Sequence, residues 1–369
     1  MVDGAGNRLG RGGGLLRFSL NDNSSKISRL SDPENFLGLK PLQKAMSIGI
    51  GLIGLGRHGG RYARHLLDGV TGCHLVAVSR RDRTAGQAFA RSAGVVFVPD
   101  WREMLERKDI DAIVVVTPPN VNHDICIAAA KAGKAILIEK PLAMTTEDAR
   151  AMIDATQAAG VPLMTAQTLR FTPVLRRLRE RLAVIGSLEY MWLSMRVEPA
   201  PHHWLEDPKQ AGGGVLIEIG IHLFDLIRYL TGHEAVDVWA EIVRLHTSRV
   251  EDLALARFLL ASGVRCYVEV SRVSAGRSCR IEAVGENGQL LVDVNESRLT
   301  RIEGRKVAET ESVADDPTIV SVLEAFARSV AAGEPVPVSG EDGLRAVVMA
   351  EAAYRSAADG RPVAVPAAA

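Results

Sequence analysis

Residues 47–59, Ser47-Ile-Gly-Ile-Gly-Leu-Ile-Gly-Leu-Gly-Arg-His-Gly59, decide how this chain is read. Ser47 to Ile53 is a short apolar run of strand character, and the glycine pattern Gly54-x-Gly56-x-x-Gly59 follows at once. His58 to Asp68 then predicts a helix with Tyr62, Leu66 and Leu67 on its inner side, and His74 to Val78 the next strand. Strand, glycine turn, helix and strand in that order make the motif a dinucleotide-site signature rather than a bare pattern. Gly54 permits a tight turn, Gly56 lets a pyrophosphate approach the backbone, and Gly59 lets helix and strand pack closely. The phosphates would sit at the helix N-terminus, beside Arg57 and His58. A plain glycine-rich turn is the alternative.

The alternation continues. Val95–Val98, Ile110–Thr117, Ala135–Glu139 and Pro162–Gln167 predict strands, and Trp101–Arg107, Asn122–Ala132 and Thr145–Ala159 predict helices. That order implies an α/β, doubly wound parallel sheet with right-handed crossovers. The second strand ends Val78-Ser79-Arg80-Arg81, where an NAD-specific site places an Asp or Glu on the ribose. A hydroxyl and a guanidinium suit a 2′-phosphate, so Ser79 and Arg80 point to NADP(H) over NAD(H). In the alternative both arginines are solvated and Asp82 reaches the ribose. Thr117-Pro118-Pro119-Asn120 ends the fourth strand at the ligand-facing edge, which adds Thr117, Pro118 and Asn120 to the cofactor candidates. His123 reads either as a pocket residue or as a structural residue at a helix start.

Glu139-Lys140-Pro141 closes the apolar strand Ala135–Ile138 at that same edge. A Lys140 ammonium there can hydrogen-bond a substrate oxygen and stabilise a developing alkoxide; the alternative is a lysine that merely caps the strand. Gly212-Gly213-Gly214 precedes an expected helix over Val215–Leu230. At 100° per residue Glu218, His222 and Asp225 share a wedge of about 60° on an otherwise apolar helix. Acid, histidine and acid at this spacing supply a proton-transfer base and groups that orient it, or else a buried structural network. His202-His203-Trp204 reads as a loop bordering the pocket, with Trp204 packing. Adjacent histidines share no face and no carboxylate completes a ligand set, so no metal is expected.

Lys+Arg and Asp+Glu both total 44 in 369 residues, which gives no charge excess for nucleic acid or an anionic membrane. Cys73, Cys126, Cys266 and Cys279 are scattered and read as buried free thiols in a reducing cytosol. No apolar run approaches the ~20 residues of a membrane span, and a cytoplasmic protein is expected. Residues 1–45 read as a disordered extension. From Ser187 onward the strands Leu188–Val197, Val236–Arg244, Leu253–Leu260, Val264–Val270, Cys279–Val284 and Gln289–Val292 suit an antiparallel meander with one face on helices. Its other face is a candidate dimer surface. Ile319–Ala331 and Gly340–Ala357 are expected as closing helices.

The order of these motifs resembles the glucose–fructose oxidoreductase / inositol dehydrogenase / rhizopine-catabolism (Gfo/Idh/MocA) family over residues 46–365. The resemblance rests on Gly54, Gly56 and Gly59, Thr117-Pro118, Glu139-Lys140-Pro141, Arg170-Phe171, and His222 with Asp225. It implies a Rossmann domain over 46–167, with Glu139 and Lys140 at its cofactor edge. An α+β domain with an open, mostly antiparallel sheet would follow over 168–369 and would bind substrate and form a homodimer or homotetramer. It further implies hydride transfer to or from a sugar, cyclitol or related polyol. Lys140, Arg170, Trp204, Glu218 and His222 would contact that substrate, and Lys140, His222, Glu218 and Asp225 would form the catalytic set. Glu218 departs from the family's usual Asp. That keeps two alternatives open: a glycosidase or lyase with a redox-recycled cofactor, and a non-enzymatic sensor of dinucleotide and sugar.

Overall fold

Ile48–Ile53 forms β1, buried at all 6 positions as a strand covered on both faces requires. It belongs to a computed structural model that describes residues 47–199 and 203–367. The extension expected over 1–45, His202 and the side chain of His203 lie outside the described residues. Beside β1 run β2 (Cys73–Ser79), β3 (Val96–Phe97), β4 (Ala112–Val115), β5 (Ala135–Glu139) and β6 (Leu163–Ala166). All pairs are parallel, in the order β3-β2-β1-β4-β5-β6. Helices α1 (Arg57–Asp68), α2 (Arg83–Ala93), α3 (Trp101–Leu105), α4 (Asn122–Lys131) and α5 (Thr146–Ala159) make the connections. The strand order reverses between β1 and β4, which opens a crevice at their carboxyl ends. The doubly wound α/β sheet is thus present. Helix α2 escaped the sequence reading because it buries only Gly86 and Ala90, too small to draw an apolar stripe.

The second sheet has nine strands in the order β14-β13-β12-β11-β7-β10-β9-β8-β15. Here β7 is Leu188–Arg196, β8 Ala235–Val243, β9 Leu253–Leu260, β10 Arg265–Ser271, β11 Ser278–Gly285, β12 Gly288–Asp293, β13 Arg298–Glu303, β14 Lys306–Ser312 and β15 Val363–Ala364. Only β7 and β10 pair in parallel, so the sheet is open and mostly antiparallel, as expected. The polar edge hairpin β13–β14 carried too few apolar residues to be read. Helices α6 (Pro173–Arg181), α7 (Pro208–Ala211), α8 (Ile221–Thr231), α9 (Thr318–Ala332) and α10 (Gly340–Asp359) complete the chain. Helix α10 packs on β8 and α8. Arginines of α6 pair with the β14 edge, Arg177 with Glu311 and Arg181 with Glu309.

Helix α9 does not stay with the second sheet. Ile319, Val322, Leu323, Phe326 and Ala327 enter the core of the first sheet, against α1, β1 and β2. All four cysteines are free and buried. Among the described residues, no helix is long and apolar enough to cross a membrane.

Candidate active site

The glycine turn is built for close approach. Gly54 has φ +96°, and a Cβ on Gly59 would lie 1.9 Å from the Gly54 carbonyl. Gly56 caps α1 without a side-chain bond, and the first turn holds no acid. A Cβ on Gly56 would meet nothing within 4 Å. Unscreened helix-terminal amides beside open space fit a dinucleotide pyrophosphate. Arg57 and His58 lie exposed at this terminus.

Glu139, read as a cofactor contact, ties β5 to α1. Its Oε1 accepts His58 Nε2 at 2.8 Å and the Tyr62 hydroxyl at 2.6 Å. Burial alone would raise this carboxyl, but the His58 ring, Lys140 and the Tyr62 hydroxyl hold it down to about 2. Asn122, which sequence reasoning did not single out, joins the two edge loops. Its amide accepts from Thr117 Oγ1 at 2.9 Å and donates to the Pro141 carbonyl at 3.1 Å, next to the cis Lys140–Pro141 peptide. Asn120 is exposed, and His123 sits at the start of α4 with its ring on Asp124, the structural alternative. Ser79 is buried at the end of β2, and its carbonyl accepts the Gly54 N–H. Arg80 lies 3.8 Å from Asp82, whose carboxylate caps α2 by accepting the Ala85 N–H.

The expected straight helix over Val215–Leu230 is not regular. Leu216–Gly220 forms a wide π turn before α8 begins at Ile221. Such turns recur at functional sites. The 100° wheel therefore misplaces Glu218 relative to His222. The Glu218 carbonyl accepts Lys140 Nζ at 2.6 Å, which brings the β5 edge and the second-sheet helix together. The Glu218 carboxylate contacts Arg272, a residue the sequence did not mark. Buried Glu251 caps the turn from outside, accepting the N–H groups of Gly214 and Leu216, both at 3.0 Å.

His222 is half-buried as a whole, and its Nδ1 is buried with no hydrogen-bond partner among the described residues. Burial, then the Lys140 charge, pushes its pKa well below the ordinary 6.5, with Glu139 opposing. The ring is therefore neutral at pH 7. Asp225 does not orient it. Both Asp225 oxygens are taken by Arg170, Oδ2 by Nε at 2.7 Å and Oδ1 by Nη2 at 2.6 Å. Arg170 also binds Asp342 at 2.9 Å, so this pair is part of a buried ion network. Asp225, with both oxygens on Arg170, is held by that guanidinium and not against His222.

A cavity of ≈ 210 Å³ adjoins Glu218, lined by Val215, Leu205, Glu206, His246 and Arg272 among others. Trp204 precedes this lining but is not part of it. A larger cavity, ≈ 590 Å³, lies by α5 and α10 and takes in none of the candidate residues. Gln167, missed by sequence reasoning, follows β6 at 1% exposure, and both of its amide atoms lack partners among the described residues. No group of histidine, cysteine and acid side chains among the described residues could hold a metal.

Comparison with known proteins bears on the family and the fold. Residues 48–167 match the oxidoreductase family with an NAD-binding Rossmann fold, and residues 175–291 match the GFO/IDH/MocA C-terminal domain. The chain is 32% identical over 333 residues to myo-inositol 2-dehydrogenase of Thermotoga maritima, covering 85% of this chain and 97% of that protein. It is 30% identical over 326 residues to scyllo-inositol 2-dehydrogenase (NAD(+)) of Bacillus subtilis, covering 85% and 94%. A solved structure, a probable dehydrogenase from Thermotoga maritima, aligns with TM-score 0.75 and 28% identity over 86% of this chain and 99% of that one. The chain belongs to the GFO/IDH/MocA family of NAD-binding oxidoreductases.

Proposed function

We propose that the protein is a dehydrogenase exchanging hydride between a nicotinamide dinucleotide and a secondary alcohol or ketone of a sugar, cyclitol or related polyol. The observation that carries this reading is a lysine ammonium beside a half-buried neutral histidine, at the ligand-facing edge of the parallel sheet. The inositol dehydrogenases among its relatives support the substrate class. The bound dinucleotide supplies the hydride acceptor or donor. In alcohol oxidation the His222 imidazole takes the hydroxyl proton, and in ketone reduction it returns that proton to the oxygen. Lys140 Nζ gives one N–H to the Glu218 carbonyl, which leaves two to polarise the substrate oxygen. Glu218 holds Lys140 from the π turn. The glycine turn and the Thr117–Asn122 loop would hold the cofactor, and residues of the ≈ 210 Å³ cavity the remote hydroxyls. In this reading 46–167 bind dinucleotide and 168–369 bind substrate.

We further assign the 2′ position to phosphate, hence NADP(H) over NAD(H). Asp82 caps α2 through Oδ1 and faces Arg80 with Oδ2 at 3.8 Å, while Ser79 and Arg80 themselves stand at the β2 edge. Fluorescence titration is expected to give an NADPH Kd about tenfold or more below that of NADH, with Arg80→Asp reversing the order. Tighter NADH binding by the unaltered protein would return the ribose to Asp82. No binding of either would remove the dehydrogenase reading.

The outward face of the second sheet carries Tyr190 at 42% and Trp192 at 41% exposure, with Tyr267 stacked on Trp192 at 5.5 Å. Exposed aromatics in contact mark an association surface, and we assign it to a second copy of the chain. Trp192→Arg is expected to shift the sedimentation coefficient toward the monomer; an unchanged oligomer would move the interface elsewhere.

A further inference from the structure

Glu218 makes two different contacts within the site. Its main-chain carbonyl accepts Lys140 Nζ, while its carboxylate reaches past the lysine to Arg272. Oε2 hydrogen-bonds Arg272 Nη2, yet Oε1 stays 3.9 Å from Lys140 Nζ, beyond a hydrogen bond. The carboxylate therefore bonds one cation and only faces the other. Arg272 is well anchored for this. It directly follows β10, its N–H donates to the Asp252 carbonyl at 2.8 Å, and its side chain is 15% exposed.

We infer that Arg272 is a positioning residue for the proposed hydride transfer: it draws the Glu218 carboxylate aside so that Lys140 keeps its N–H groups for the substrate oxygen. Lys140 and Arg272 are the cations paired with Glu218 among the described residues. Without Arg272 the carboxylate has Lys140 as its remaining partner, and opposite charges this close in a half-buried site attract strongly. A rotation of the Glu218 side chain would turn the present approach into a direct ion pair and occupy the ammonium. The reach of glutamate also gains a purpose. An aspartate at 218 is one methylene shorter and is less able to extend past Lys140 to Arg272.

The inference takes its purpose from the proposed reaction, but its test needs no substrate. The full chain is pulsed with acetic anhydride, and acetylation of Lys140 is followed by mass spectrometry against the exposed Lys131. Arg272→Gln is expected to slow Lys140 labelling about fivefold, the scale of a partly exposed ion pair. Arg272→Lys should stay near the wild-type rate, and Glu218→Gln/Arg272→Gln should return to it, because no carboxylate remains to occupy the amine. Circular dichroism of each variant reports an intact fold, and Arg272→Met replaces Arg272→Gln if the latter fails that control. Wild-type or faster labelling in the arginine variant overturns the inference. So does a double variant as slow as the single one, since a merely structural arginine would behave that way. Absence of polyol turnover would sink the proposed reaction and leave the labelling result readable.

Discussion

His222→Ala is expected to lower kcat for polyol oxidation by about 10²–10⁴-fold, the usual contribution of a positioned general base. The dinucleotide should still bind, because the glycine turn is on another element. The size of the effect follows from the histidine's surroundings: burial and the adjacent Lys140 charge hold the imidazole unprotonated well below pH 6.5. A neutral ring at pH 7 is ready to take a proton from a hydroxyl. The oxidation profile of the wild type should therefore keep its plateau below pH 6.5, where an ordinary histidine would already be charged. Stability carries the same signature with a defined sign. The unfolded chain protonates this histidine near 6.5 while the folded one resists. Stability is thus complete above that value and falls as pH drops beneath it. In His222→Ala both the extended plateau and that share of the slope should vanish. Turnover within about tenfold of wild type would remove His222 from proton transfer.

Arg170→Met should destabilise the protein by about 3–5 kcal/mol, the cost of leaving one member of a buried pair uncompensated. Asp225 is 1% exposed, and both of its oxygens rest on this guanidinium. Asp342 would keep Arg228 at 3.1 Å, so the loss concentrates on Asp225. Burial already raises the Asp225 carboxyl above its ordinary value, with Arg170 opposing. Remove Arg170 and the group should take up a proton in the folded state instead. The variant's deficit is then expected to shrink as pH falls toward 5, because the folded form binds the extra proton. Urea unfolding at pH 5 and pH 8, followed by circular dichroism, measures both. A deficit under about 1 kcal/mol, or one that grows at low pH, would contradict the network's assigned role.

The first sheet was legible because its strands are short apolar runs, four of the six closed by a glycine or proline signal, and the glycine turn named its ligand. Lys140 was legible because it ends such a run. Two kinds of feature were not. The polar edge strands Arg298–Glu303 and Lys306–Ser312 gain stability from main-chain pairing and ion pairs with α6, which no apolar alternation records. The helical wheel failed at Glu218 because a π turn inserts extra backbone without any residue that announces it. Arg272, Glu251 and Asn122 act across long sequence separations, and a charged or amide residue at a strand end or helix start reads as solvated until its partner is known. Helix spacing marked Asp225 and the family resemblance marked Arg170, but their mutual pairing is visible only in the fold.

The return of α9 to the first sheet has a consequence for how the protein is made. Phe326 and its neighbours emerge from the ribosome long after Ala166, yet they cover the face formed by α1, β1 and β2. The nucleotide-binding half, although it comes first in synthesis, waits with an unshielded apolar side until nearly the whole polypeptide exists. Its completion is thus a late event, and a stalled or prematurely terminated chain would carry a sticky, half-finished fold.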